Sequence, residues 1–172
     1  MLGPSRDLPA VLGTTAPAEN NAELETKGFE LSLDWKNRIS RDFSYNLRLT
    51  VGDSRSKILK YKNDDKTIDT WYDGKNYGEI WGFITDGLIQ KAGEQMPDQS
   101  KYYSSWGPGD VKYKDVDGNG VLNDGKRTVN DHGDLVVIGN SSPRYNISVS
   151  GGFNWKGFSF YMFWQGVLKR DY

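Results

Sequence analysis

The chain has 172 residues, enough for one ordinary domain with a core of useful size. Its 22 Lys and Arg stand against 23 Asp and Glu, a formal charge of -1, so the composition carries no electrostatic footprint for nucleic acid or an anionic membrane. Cysteine is absent, which removes disulfide frameworks, thiolate zinc sites and cysteine nucleophiles together.

The opening "MLGPSRDLPAVLG" lacks the basic head and apolar core of a signal peptide. The expectation is a cytoplasmic protein or a chain without its natural beginning. Residues 1–23 read as an irregular lead-in, because Pro4, Pro9 and Pro17 lack donors and interrupt any ladder.

Residues 24–58 carry the first clear pattern. In "KGFELSLDW", Phe29, Leu31, Leu33 and Trp35 alternate with Gly28, Glu30, Ser32 and Asp34. Period two gives a strand with one apolar and one polar face. "KNRISRD" allows a tight reversal. "FSYNLRLTV" then sets Phe43, Tyr45, Leu47, Leu49 and Val51 against Ser44, Asn46, Arg48 and Thr50. The pair predicts a long antiparallel hairpin.

Residues 59–143 show no sustained strand pattern. The spacing allows a short helix over Gln90 to Met96. A stretch of this length without regular structure points to function or to a wrong assignment of elements. Residues 144–172 repeat the hairpin design. Tyr145, Ile147, Val149, Phe153 and Trp155 take one face, "KG" turns the chain, and Phe158, Phe160, Met162 and Trp164 continue that face. Tyr161 and Phe163 break the alternation, so this last strand is expected to be covered on both sides.

Two architectures fit this layout. A soluble sandwich shows the same alternation, but its strands usually run about 5–6 residues. A strand that crosses an outer membrane needs about 9–11, with short turns at one end and long loops at the other. No apolar run approaches the about 20 residues of a spanning helix, a test that does not bear on barrels. Trp35, Phe43 and Tyr45 flank one short turn, and Phe153, Trp155, Phe158 and Phe160 the other. Such rings suit a membrane interface, and they equally suit cross-strand packing in a soluble sheet.

Three groups of side chains in residues 59–143 could carry chemistry. "KDVDGNGVLND" crowds hard oxygen donors around two glycines. Counted from Asp115 in the manner of a calcium loop, Asp117 falls at position 3, Asn119 at 5, Gly120 at 6, Val121 with its carbonyl at 7 and Asn123 at 9. Position 12 is Lys126, so a further carboxylate must come from elsewhere, with Asp124 and Asp110 as candidates. Structural Ca²⁺ is one reading, and a polar turn held by side-chain bonds to its own backbone is the other. Trp71, Tyr72, Trp81, Tyr102, Tyr103 and Trp106 form the second group, as platforms for sugar rings or a partner protein, or as a small core that orders the loop. The third group, Glu79, Asp86 and Glu94, has no spacing that fixes a glycosidase pair, and the lone His132 sits in a loop. No enzyme is expected.

The segments "TKGFELSLDWKN", "GEIWGFITDGLIQ", "GDVKYKDVDGNGVLND" and "IGNSSPRYNISVSGGFNWKGFSFYMFWQGVLKRDY" resemble, in the same order, SusC/RagA-like TonB-dependent outer-membrane transporters of Bacteroidota. The resemblance runs from about residue 8 to the end. It implies an all-β fold in which the antiparallel hairpins form part of a large transmembrane β-barrel, with residues 59–143 as a long irregular extracellular loop. The chain resembles a late portion of that barrel, without the plug and TonB-contacting parts. Glu30, Ser32, Asp34, Asn46 and Arg48 would then face a wet interior. The implied work is import of glycans or peptides with energy from TonB, beside a SusD-like surface lipoprotein and in outer-membrane lipid. The competing reading is a soluble, calcium-stabilised β-sheet module that binds glycans at the cell surface.

Overall fold

The computed structural model describes residues 21–172. Most of the expected lead-in, residues 1–20, lies outside the described residues. Among the described residues every regular element is a strand: β1 (Glu23–Arg38), β2 (Phe43–Lys60), β3 (Glu79–Gly82), β4 (Thr85–Leu88), β5 (Val111–Tyr113), β6 (Val136–Asn140), β7 (Arg144–Trp155) and β8 (Phe158–Lys169). The fold is all-β and antiparallel. It divides into two compact units, one of Glu25–Ser56 with Ser141–Tyr172, the other of Lys57–Asn140 with residues 21–24.

The first unit is a four-stranded sheet in the order β1-β2-β7-β8. Its long strands have 16, 18, 12 and 12 residues, beyond the usual length in soluble sheets. Register follows the period-two pattern. Phe43 opposes Trp155, Tyr45 opposes Phe153, Leu49 opposes Val149 and Val51 opposes Ile147, so apolar side chains of neighbouring strands share one face. The other face gathers Asn46, Arg48, Thr50, Ser148 and Ser150. Within the described residues nothing covers the apolar face: Leu31 is 50% exposed, Leu33 54% and Trp164 69%.

Both turns of this unit are short. Lys156 and Gly157 both have positive φ, 45° and 85°, which matches the twist of the flanking strands. The Lys156 amide donates to the Asp42 carbonyl at 3.0 Å and joins the two turns. Around them, Phe153 packs on Phe43 at 6.1 Å and on Phe160 at 5.5 Å between ring centroids, and Trp35 Nε1 donates to the Tyr45 hydroxyl at 3.1 Å.

β8 departs from expectation. Tyr161 and Phe163 lie on the polar face, opposite Gly152 and Ser150, and they are 65% and 56% exposed. No described residue covers either side of this edge strand. Gly152 gives the Tyr161 ring room, since a Cβ there would stand 2.6 Å from the Phe160 carbonyl and 3.4 Å from the ring itself.

The second unit is the long excursion. It is held by two short strand pairs, β3 with β6 and β4 with β5. Its core is small: Ile58, Ile68, Ile89, Leu122 and Leu135 are buried. Buried polar groups do the work that longer strands would do. Gln99 donates to the Val111 carbonyl at 2.9 Å and accepts the Tyr113 amide at 3.2 Å. Lys75 Nζ donates to the carbonyls of Ile68 (2.5 Å) and Thr70 (3.0 Å). Each bond satisfies a backbone group that irregular chain would otherwise leave unpaired.

The expected helix over Gln90 to Met96 does not form. Gly93 adopts φ 71°, outside the helical region, and the Glu94 amide turns back to the Lys91 carbonyl at 3.3 Å instead of to Gln90, so the segment closes as a turn.

Candidate functional site

The acidic loop after β5 is built from its own backbone. Asp115 accepts the amides of Gly118 at 2.6 Å and Gly120 at 2.7 Å. Asp117 accepts the Asn119 amide at 3.0 Å, and Asn119 accepts the Val121 amide at 2.8 Å. Asn123 accepts the Gly125 amide at 2.9 Å and donates to the Val121 carbonyl at 3.1 Å. Gly120, at φ 84°, makes the sharp turn that a side chain would strain. The amides of Gly120 and then Gly118 hold the Asp115 carboxyl below the usual carboxylate range.

The carboxylate that position 12 fails to supply arrives from elsewhere. Asp134, fully buried, lies just before β6. Its oxygens accept the amides of Val116 (2.7 Å), Asp117 (3.3 Å) and Asn123 (2.8 Å). One oxygen each from Asp115, Asp117 and Asp134 lies within 4.8 Å of the others. Carboxylates so placed suit a hard divalent cation, and three of them close together repel one another without one. No signal in the sequence marks Asp134, which is remote from the loop along the chain and precedes an ordinary apolar run.

Asp124 is engaged differently. Its carboxylate pairs with Lys101, accepts the Tyr102 hydroxyl at 3.1 Å and lies 3.5 Å from Arg127. Lys101 first, with Tyr102 assisting, pulls its carboxyl below the usual range. Asp110 accepts the Gly107 amide at 2.9 Å.

The aromatic candidates divide into groups. Trp71 stands edge-on between Tyr61 and Tyr77, at 5.4 and 5.8 Å. Tyr72 and Trp81 share Glu79, donating to one carboxylate oxygen at 2.6 and 2.9 Å. Burial, and then Glu79, push the Tyr72 hydroxyl well above its ordinary value. Tyr102 packs on Phe83 at 5.2 Å, while Trp106 contacts Tyr103 at 5.5 Å and Tyr113 at 6.4 Å. These rings contact one another in ways that order the excursion, and Tyr103 keeps 55% of its surface exposed.

The remaining carboxylates are also engaged. Asp86 and Glu94 both reach Lys112, at 3.3 and 3.0 Å. The His132 ring lies 5.3 Å from that of Trp81.

On the sheet unit, the polar face is organised by charge pairs. Arg48 Nε donates to Asp34 at 2.6 Å, and Ser32 and Thr50 hydroxyls lie 3.4 Å apart. At one end of the β2–β7 ladder Arg144 makes a two-pronged pair with Asp53, and Tyr145 beside it takes φ 56°.

Long antiparallel strands with one uncovered apolar face and one polar face have the pattern that a β-barrel wall requires. The comparisons agree. The chain is similar to TonB-dependent receptor P3 of Formosa agariphila, 25% identical over 180 residues, which covers 96% of this chain and 17% of that receptor. Its fold is similar to that in the structure of the RagAB peptide transporter, with a TM-score of 0.57 and 15% identity over 92% of this chain and 16% of that one. No family model matches. The chain thus spans 17% of the length of the curated relative. The resemblance to SusC/RagA-like transporters read from the sequence holds.

Proposed function

We propose that this chain is the part of an outer-membrane TonB-dependent importer that supplies barrel wall and an extracellular loop region. The supporting observation is the alternation of faces. Leu31, Leu33, Leu47 and Trp164 stand exposed on one side of the sheet, while Arg48 and Asp34 pair on the other. In water such an apolar face is a liability, and in lipid it is the required surface. That contrast also weighs against a soluble glycan-binding module.

In this reading the importer takes up glycans or peptides, works with a SusD-like surface lipoprotein and draws on TonB through parts outside this chain. Its work is binding and enclosure, not bond-making. Cysteine is absent from these 172 residues, and any cysteine elsewhere in the importer is first replaced by serine. Single cysteines are placed at Tyr103 and Ser40 of the importer in its own outer membrane. A membrane-impermeant maleimide should label Tyr103→Cys on intact cells and Ser40→Cys only after the membrane is permeabilised. Equal labelling of both on intact cells would contradict the proposal.

Within the excursion, Asp115, Asp117 and Asp134 hold a structural Ca²⁺, helped by carbonyl and amide oxygens of the 119–123 turn. The ion would offset the mutual repulsion of the carboxylates and pin a loop whose closure costs entropy. Support comes from the convergence of the three carboxylates.

A further inference from the structure

The two short turns carry a charge pattern that barrel closure does not explain. Residues 36–42 and 155–158 hold Lys36, Arg38, Arg41 and Lys156, against the single acid Asp42. The whole chain is nearly neutral, so this end is set apart. All four basic side chains are exposed. Among the described residues none of them forms an ion pair.

Their placement is specific. The backbone bond from Lys156 to Asp42 draws the turns together, so the charges share one rim. Arg38 curls over its turn and donates to the Arg41 carbonyl at 3.1 Å. Lys156 stands 6.0 Å above the ring of Trp155, which belongs to the apolar face and is 54% exposed. Phe158, 58% exposed, stands opposite it on β8, and Trp35, 61% exposed, lies on the same face two strands away. A cation leaning over an interfacial ring, at the end of a lipid-facing strand, stands at the depth of the headgroup phosphates.

We infer that this rim binds the phosphates of anionic lipid headgroups in the leaflet on the turn side of the membrane. Lys156 and Arg41 make the near contacts, beside Trp155, while Lys36 and Arg38 add attraction at longer range. The inference rests on the reading of the sheet as barrel wall. Each basic group near an anionic surface multiplies affinity about fivefold, an effect that salt screens.

The test offers the full chain to vesicles of phosphatidylcholine alone and of phosphatidylcholine mixed equally with phosphatidylglycerol, with partition read by sedimentation and tryptophan emission. Partition into anionic vesicles should be stronger by about tenfold or more. The preference should disappear at high salt and in K36Q/R38Q/R41Q/K156Q, which should still enter phosphatidylcholine as the parent does. K60Q/K62Q, altered where β2 leaves for the excursion, should keep it. Equal partition into both vesicles, or an undiminished preference in the fourfold variant, would overturn the inference while leaving the barrel reading intact. Entry into neither would overturn the inference and leave the barrel reading standing, because the open edges of an excised sheet are absent from a closed barrel. Stronger displacement by inorganic phosphate than by chloride at equal ionic strength would mark a free-phosphate site and would also overturn it.

Discussion

Arg48 on β2 and Asp34 on β1 meet at 2.6 Å across the strand pair, on the face opposite Leu33 and Leu47. Side chains of opposite charge thus stand mid-strand on one surface of the sheet, one residue away from large exposed hydrophobes on the other. Both members of the pair are well exposed, so it contributes little to stability. Its value is as a marker of which side is wet. Leu33→Lys should therefore weaken folding into a bilayer by about 2–4 kcal/mol if the site lies near the midplane, whereas Ser32→Lys should be close to neutral. Urea titration of the importer refolded in lipid vesicles checks both.

Asp134 binds the acidic loop to the β6 side of the excursion. Asp134→Ala would leave the amides of Val116, Asp117 and Asn123 without their acceptor. A cost of about 1–3 kcal/mol per buried unpaired group is expected, seen as earlier denaturant unfolding of the excursion. Asn should rescue part of the loss, because it still offers one oxygen.

Acid should loosen the excursion before the sheet. Asp124, paired with Lys101, and Asp69, held by Arg127, both have depressed carboxyl values. Their contribution is complete above the ordinary value of 3.8 and is lost as pH falls from there through the folded values. Excursion tryptophan emission, followed during denaturant unfolding at a series of pH values, should show this loss. It should be smaller in Lys101→Gln, which removes the first cause of the Asp124 shift.

Calcium should bind one site and stabilise the excursion against heat. Calorimetry should give an uptake near one ion per chain, abolished in Asp115→Ala and in Asp117→Ala. No heat in the intact chain would end the calcium proposal without touching the barrel reading.

The sheet was legible because its information is local. Period-two alternation in "FELSLDW" and "YNLRLTV" fixes which side chains share a face, and the short turns then fix register. The excursion was not, because its order comes from distant partners. Glu79 pairs with Asn140 and Ile80 with Gly139, in strands too short to show a period. The calcium-loop spacing located Asp115 and Asp117, but the third carboxylate, Asp134, is brought in only by the fold. The helix expected at Gln90 to Met96 failed for a local reason, the positive φ of Gly93 and the tight turn from the Glu94 amide to the Lys91 carbonyl. The aromatic residues were visible as a set, and only coordinates could show that Tyr72 and Trp81 meet on Glu79.

The central claim is that one side of the sheet meets lipid and the other meets water. Nitroxide labels placed singly at residues 29 to 34, in the importer reconstituted in bilayers, test it most directly. Collision with oxygen should peak at Phe29, Leu31 and Leu33, and collision with a water-soluble nickel reagent at Glu30, Ser32 and Asp34. Labels at Phe29, Leu31 and Leu33 that are shielded from both reagents, as in the core of a compact soluble protein, would contradict the account.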